Sequence, residues 1–378
     1  MKNTISIMKL LPIMFGFFVM GFVDVVGIAT NNVKSDFALS DTLANLIPMM
    51  VFLWFTVFSI PTGIVMGKIG RRNTVLLSMA ITIVAMILPL LYYSFACLLF
   101  SFALLGIGNT ILQVSLNPMV AKVVSADRIA SILTMGQFVK AISSFLGPII
   151  AGAAASYFGS WKLIFVVYAI TTVLSALWLM MSVEADHSVE EKPATFSSAL
   201  SLFSDKTILW LFVGILAVVG IDVGLNTCIP KLLMEKTGLA LSEAGLGTSL
   251  YFVSRTAGAF AGAFLLARIA GNRFLRICMI ISVVAFVAML LVSDLWVLLF
   301  LIVVVGLACS NVFSILFSYA LQHKPEQANE VSALMIMGVS GGALVMPFMG
   351  ILSDTFGQTA GMIPLLVCML YLGYLKVK

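Results

Sequence analysis

Residues 184–206 read EADHSVEEKPATFSSALSLFSDK, a sizeable hydrophilic stretch in a chain of 378 residues that is otherwise 61% apolar and only 10% charged. Glu190, Glu191, Lys192 and Pro193 lie at its centre. On either side the apolar residues come in runs of roughly twenty, the length an α-helix needs to cross about 30 Å of hydrocarbon. Before it fall spans at about 9–32, 43–67, 73–93, 95–124, 129–157 and 162–183; after it, at about 207–234, 242–267, 273–292, 295–321, 330–355 and 360–376. An ordinary long loop has a similar composition, but the central position marks this stretch as a linker between two bundles. The expected fold is an all-α polytopic membrane protein of twelve transmembrane helices. It has an N-terminal six-helix bundle (1–183), a linker (184–206) and a C-terminal six-helix bundle (207–378).

The composition excludes a soluble protein and a β-barrel. A soluble domain averages about 45–50% apolar and about 25% charged residues, and the mean hydropathy here is +1.15. Transmembrane β-strands would appear as alternating segments of about ten residues, which this sequence lacks. The first run carries no small-residue cleavage site and reads as a permanent span. Lysine and arginine give the orientation: Lys2, Lys9, Lys68, Arg71, Arg72, Lys122, Arg128, Lys192, Lys206, Arg268, Arg273, Arg276, Lys324, Lys376 and Lys378 gather on one side, against Lys34, Lys162, Lys231 and Lys236 on the other. Positive charge marks the cytoplasmic side, so both termini are expected inside a cytoplasmic membrane. The net charge of +5 then reports topology and implies no nucleic-acid partner. The five cysteines are isolated in apolar runs, His187 and His323 sit in polar segments, and no metal-ligand spacing is present.

The halves resemble each other, as in many secondary transporters. Span 1 carries Gly21-Phe22-Val23-Asp24 and then Gly27; span 7 carries Gly220-Ile221-Asp222 and then Gly224. Span 5 has Gly147-Pro148, Gly152 and Phe158-Gly159; span 11 has Met346-Pro347, Gly350 and Phe356-Gly357. Asp24, Lys140, Asp222 and Arg255 each fall well inside a span. A charge at the bilayer centre costs about 2.5–3.5 kcal/mol on insertion scales, so each must face a cavity or a partner. Inter-helix ion pairs or a translocation path would both satisfy that demand. Polar residues recur at helical spacing: Gln113 with Asn117, Gln137 with Lys140, Asp222 with Asn226, and Asn311 with Ser314. Amides and carboxylates together offer the donors and acceptors a polyhydroxylated ligand needs, although any one amide also serves as packing glue. Asn117-Pro118 places a helix-loosening proline in span 4. No GxxxxGK[ST] loop, soluble catalytic domain or protease-like constellation is present, so neither an ATP-driven pump, an enzyme nor a cofactor is expected.

Gly63-Ile64-Val65-Met66-Gly67-Lys68-Ile69-Gly70-Arg71-Arg72 resembles the GxxxDRxGRR loop signature of the major facilitator superfamily, with Gly67 in place of the aspartate and Lys68 in place of the arginine. Phe158-Gly159-Ser160-Trp161-Lys162-Leu163-Ile164-Phe165 is similar to that family's FGWRxxF segment. Within the superfamily, Leu112-Gln113-Val114-Ser115-Leu116-Asn117-Pro118 resembles the LETAANP of the fucose:proton symporter and glucose/galactose transporter group. Gln137-Phe138-Val139-Lys140 resembles its QxxN, and Ser254-Arg255-Thr256-Ala257-Gly258 its GRxxG. Gln113 stands where that group has a coupling glutamate, and the group's first-helix aspartate aligns near Gly27.

The resemblance implies proton-coupled sugar import by alternating access, with two bundles rocking about a midplane site. Asp24 or Asp222 is expected to carry the proton, with sodium as the other possible coupling ion. Gln113, Asn117, Gln137, Lys140, Asn226, Arg255 and Asn311 are expected to bind substrate. Lys140, a cation where the group has an amide, opens a second substrate class, an acidic sugar such as a sialic acid or uronate. A drug:proton antiporter and a transport-incompetent sugar sensor are rival functions. A monomer is the family's usual state.

Overall fold

A computed structural model describes residues 7–39, 43, 46–184, 195–239 and 241–375. His187, Glu190, Glu191, Lys192 and Pro193, with Lys2, Lys376 and Lys378, lie outside the described residues. The described chain is helical: α1 (Ile7–Met20), α2 (Val25–Asp36), α3 (Leu46–Ile69), α4 (Arg71–Leu91), α5 (Phe95–Val123), α6 (Ile129–Phe158), α7 (Leu163–Ser182), α8 (Phe196–Ser201), α9 (Lys206–Thr237), α10 (Leu241–Leu266), α11 (Gly271–Leu291), α12 (Leu295–Cys309), α13 (Val312–His323), α14 (Ala328–Met337), α15 (Gly341–Phe356), α16 (Gln358–Gly361) and α17 (Ile363–Tyr374). Among the described residues nine helical stretches are long and apolar enough to cross a membrane. The remaining expected spans are α10, the broken pair α14 and α15, and the short α16–α17 stretch. Polarity is distributed as a bilayer requires. Phe52, Phe100, Phe264, Phe300 and Phe348 are exposed, while Asn109, Gln113, Asn117 and Asn311 are buried.

Local chemistry sets several helix ends. Ser94 accepts from the amide of Cys97 at 3.2 Å, Asp205 from Thr207 at 2.9 Å and Asp294 from Val297 at 3.0 Å, each a side-chain N-cap on an otherwise unpaired amide. Gly159 and Gly357, the glycines of the paired Phe-Gly sequences, end α6 and α15 with φ of +71° and +89°, where a side chain would strain the backbone.

The interior prolines impose a second rule. Each removes the amide that would bond the carbonyl four residues back, leaving that oxygen in need of another donor. Three times a hydroxyl from elsewhere supplies it. Ser101 donates to Ala85 O, stranded by Pro89. Ser332 donates to Val114 O at 2.6 Å, stranded by Pro118, and Thr248 to Asn226 O at 3.2 Å, stranded by Pro230.

Two compact units account for the chain. The first is Met1–Ala126, Val139–Ser201 and Lys324–Met337; the second is Asp127–Phe138, Leu202–His323 and Gly338–Lys378. In the first, α5 packs on α3 and α4, α7 on α4 and α1, and α14 on α3 and α5. The α3–α14 approach is close at Gly63, where a Cβ would lie 2.9 Å from that of Ala333. Beside it Arg71 Nε donates to Asn329 Oδ1 at 2.9 Å. At the far end of this unit Asp36 accepts from Tyr93 OH at 2.5 Å and from Trp161 Nε1 at 3.1 Å, with Lys162 Nζ 3.6 Å from the Tyr93 ring centre. Burial, and then the Asp36 hydrogen bond, push the Tyr93 phenol above its ordinary range. In the second unit α9 is central, packing on α10, α13, α15 and α17. Lys236 Nζ covers the carbonyls of Leu290 and Val292 at 2.5 and 2.9 Å, a cation on a helix C-terminus.

Candidate functional site

In the first unit the polar residues gather where α1 is interrupted. Residues Gly21–Asp24 form a 3₁₀ turn, and α2 begins at Val25. Gly21 is there because helix α6 passes so close that a Cβ would lie 2.6 Å from the Lys140 carbonyl oxygen. The turn presents Asp24, an exposed side chain, immediately before α2, where it makes no cap hydrogen bond to the helix amides. Ser144 on α6 donates its hydroxyl to Asp24 Oδ2 and also lies 3.0 Å from the Lys140 carbonyl. Lys140 is half-buried, and among the described residues no carboxylate comes within ion-pair distance of its ammonium. Phe22, inside the turn, stacks on Tyr168 of α7 with ring centres 3.8 Å apart.

Behind the turn runs a ladder on α5. Asn117 Nδ2 donates to the Gln113 carbonyl at 2.9 Å, Gln113 Nε2 to Asn109 Oδ1 at 2.7 Å, and Asn109 Nδ2 to the Met20 carbonyl at 2.7 Å. All three side chains are buried, and Asn117 Oδ1 is a buried acceptor left without a partner. Sequence reasoning found Gln113 and Asn117 but missed Asn109. The missed signal was periodicity, since Asn109 stands one further step of four back along the same face.

The second unit holds its acid differently. Asp222 on α9 receives Arg255 Nη2 on Oδ2 at 2.6 Å and Tyr251 OH on Oδ1 at 2.7 Å. Tyr251 and Arg255 are one helical turn apart on α10, and Tyr251 is fully buried. Both carboxylate oxygens are therefore engaged. Tyr251 escapes sequence reasoning, because a tyrosine in an apolar run reads as core. Asn311, between α12 and α13, is buried and donates to the Gly258 carbonyl at 3.1 Å and to Ser310 Oγ at 2.6 Å. It presses so closely on α10 that a Cβ at Gly262 would lie 2.2 Å from its Oδ1. Asn226 is exposed, and its backbone oxygen accepts from the Thr248 hydroxyl. Gln137 is half-buried and belongs with the second unit, whereas Lys140, three residues on, belongs with the first. The structure thus joins Asp222 to Arg255 and Gln113 to Asn109, and leaves Asp24 and Lys140 outside ion-pair distance of each other. Among the described residues no group of three or more His, Cys, Asp and Glu side chains is placed to hold a metal ion.

Comparison with known proteins adds a family. The Major Facilitator Superfamily matches residues 13–233 and 217–377. A protein named putative glucose/galactose transporter from Helicobacter pylori strain J99 is 26% identical over 403 residues, covering 100% of this chain and 97% of its own length. The glucose/galactose transporter of Brucella abortus is 22% identical over 379 residues, covering 95% and 90%. The crystal structure of the Escherichia coli fucose:proton symporter superposes with a TM-score of 0.84 at 17% identity, over 98% of each chain.

Proposed function

We propose that this chain, which belongs to the Major Facilitator Superfamily and is a multi-pass membrane transporter and not an enzyme, imports a hexose or deoxyhexose together with a proton. The sugar class rests on the names of the glucose/galactose transporters similar to it along nearly all their length. In this reading residues 1–183 and 207–378 act as two six-helix bundles joined by the linker 184–206, in a cytoplasmic membrane with both termini inside, and the protein works as a monomer by alternating access.

The difference between the two acids carries the coupling assignment. Asp222 has one oxygen on Arg255 and the other on Tyr251, an arrangement that fixes a carboxylate in its ionised form. Asp24 is exposed at a helix interruption and is met by the Ser144 hydroxyl. A group that must gain and lose a proton in each cycle needs access and a partner that tolerates both states; a hydroxyl can donate to the carboxylate or accept from the acid. Asp24 is therefore the proton carrier, and Asp222 a fixed charge. Gln113, Asn117, Gln137, Asn226 and Asn311 supply the amides for sugar hydroxyls.

Lys140 favours a second reading. A half-buried ammonium with no carboxylate in ion-pair range among the described residues is suited to an anionic substrate, so an acidic sugar clamped by Lys140 is the alternative to a neutral hexose.

The test is uptake of labelled fucose, glucose, galactose and sialic acid into proteoliposomes under an imposed pH gradient, comparing wild type with Asp24→Asn. One sugar should accumulate only with both the gradient and Asp24. Uptake indifferent to the gradient, or unchanged in Asp24→Asn, refutes the coupling assignment. The sugar that accumulates decides between a neutral and an acidic substrate.

A further inference from the structure

We infer that Ser332 is a gating residue: on the reading that residues 1–183 and 207–378 move as two bundles, its hydroxyl latches the second half of the chain onto the first, at a carbonyl that Pro118 leaves without a helix amide.

The two compact units do not follow the two halves of the sequence. Residues Lys324–Met337, from the second half, belong to the first unit, and Asp127–Phe138, from the first half, belong to the second. The two stretches stand at corresponding places, each ahead of an in-span proline, Pro148 in span 5 and Pro347 in span 11. Helix α14 lies within Lys324–Met337 and packs on α3 and α5. It ends at the 3₁₀ turn Gly338–Ser340, where the chain returns to the second unit. A site that opens to each side in turn needs the halves to part at each end in turn. Where α14 crosses over, they can part only by breaking its contacts with α3 and α5.

Those contacts differ in kind. At Gly63 the chains simply touch, a Cβ there lying 2.9 Å from that of the fully buried Ala333. Arg71 Nε donates to Asn329 Oδ1 at 2.9 Å, a bond between two side chains that can each rotate. Ser332 donates to the backbone oxygen of Val114 at 2.6 Å, with both residues fully buried. That oxygen is fixed in α5, and Pro118 withholds the amide four residues on that would otherwise serve it. Opening the contact gives Val114 O to water, and closing it without the hydroxyl would bury a bare carbonyl. Ser332 therefore favours the packed arrangement by the cost of a buried unpaired acceptor, and parting and wetting of this contact occur together. On the other exchanged stretch Ser131 donates to the Ala263 carbonyl, but no proline stands four residues beyond Ala263. The dependence on a borrowed hydroxyl belongs to the Ser332 contact.

The experiment places a thiol at the contact by Ala333→Cys and follows its reaction with N-ethylmaleimide in proteoliposomes, site by site, by mass spectrometry. Four forms are compared: Ala333→Cys alone, with Ser332→Ala, with Pro118→Ala, and with both. Native Cys309, buried in the second unit, is the control for unfolding. Ser332→Ala should speed modification of the introduced thiol about fivefold or more, the population shift that one unpaired buried carbonyl gives, with Cys309 unchanged. Beside Pro118→Ala the increase should be several-fold smaller, because the restored amide serves Val114 O in both arrangements. An equal increase in both backgrounds, no increase, or a parallel rise at Cys309 overturns the role of Ser332. A thiol inert in every form shows that α14 does not leave α3, and the two-bundle reading fails with it; a reactive thiol indifferent to residue 332 defeats the role of Ser332 alone.

Discussion

Replacing Ser332 by alanine tests the proline rule at a buried position. Pro118 has no amide hydrogen for Val114 O, and Ser332 Oγ donates to that oxygen at 2.6 Å with both residues fully buried. Alanine at 332 leaves a carbonyl without a partner and without water, which costs about 1–3 kcal/mol. The same change made in Pro118→Ala should cost less, because the new amide at position 118 can reach Val114 O and only a net hydrogen bond of about 1 kcal/mol is lost. The coupling energy of the cycle is then of order 1 kcal/mol. Unfolding entropy of about 2.1 cal/mol/K per residue over 378 residues gives about 0.8 kcal/mol/K. A loss of about 2 kcal/mol should thus lower Tm by about 2–3 °C in the wild-type background, and by about half as much beside Pro118→Ala. Thermal unfolding of the four detergent-solubilised proteins measures this. Ser101→Ala supplies a control, since its acceptor is stranded by Pro89, so Pro118→Ala should not rescue it. Equal losses for Ser332→Ala in both backgrounds would refute the reasoning.

The charged groups give two more expected outcomes. Arg255→Met removes the cation from a partly exposed pair in which Asp222 keeps its Tyr251 hydrogen bond, and should destabilise by about 1–3 kcal/mol, with most of the loss recovered in Arg255→Met/Asp222→Asn; a double variant no more stable than the single one would show that the pair is not coupled. The Tyr93 phenol is held above its ordinary value near 10 by burial and by Asp36, so the folded protein keeps that proton longer than the unfolded chain. Its contribution is therefore present below about pH 10 and is lost as pH rises beyond it. Tyr93→Phe should flatten the alkaline limb of a Tm against pH curve, and an unchanged limb would assign that limb to other groups.

Much of the fold was legible because membrane insertion is decided locally. The length of each apolar run and the repeat of Gly-Phe-Val-Asp in span 1 by Gly-Ile-Asp in span 7 follow from residue order and from what hydrocarbon excludes. Sequence also announces needs without naming who meets them. Pro118 states that Val114 O requires a donor, but Ser332, 218 residues away, is identified by packing alone. The sequence requires that Asp222 and Arg255 each face a cavity or a partner, and only folding shows that they take each other while Asp24 and Lys140 do not. The interruption at Gly21–Asp24 lies further from reach. No proline marks it, and it coincides with α6 passing so close to Gly21 that a Cβ there would lie 2.6 Å from the Lys140 carbonyl oxygen. Covalent rules and solvent transfer act along the chain and were readable in order; the pairing of buried donors with buried acceptors is settled by which helices come to lie side by side.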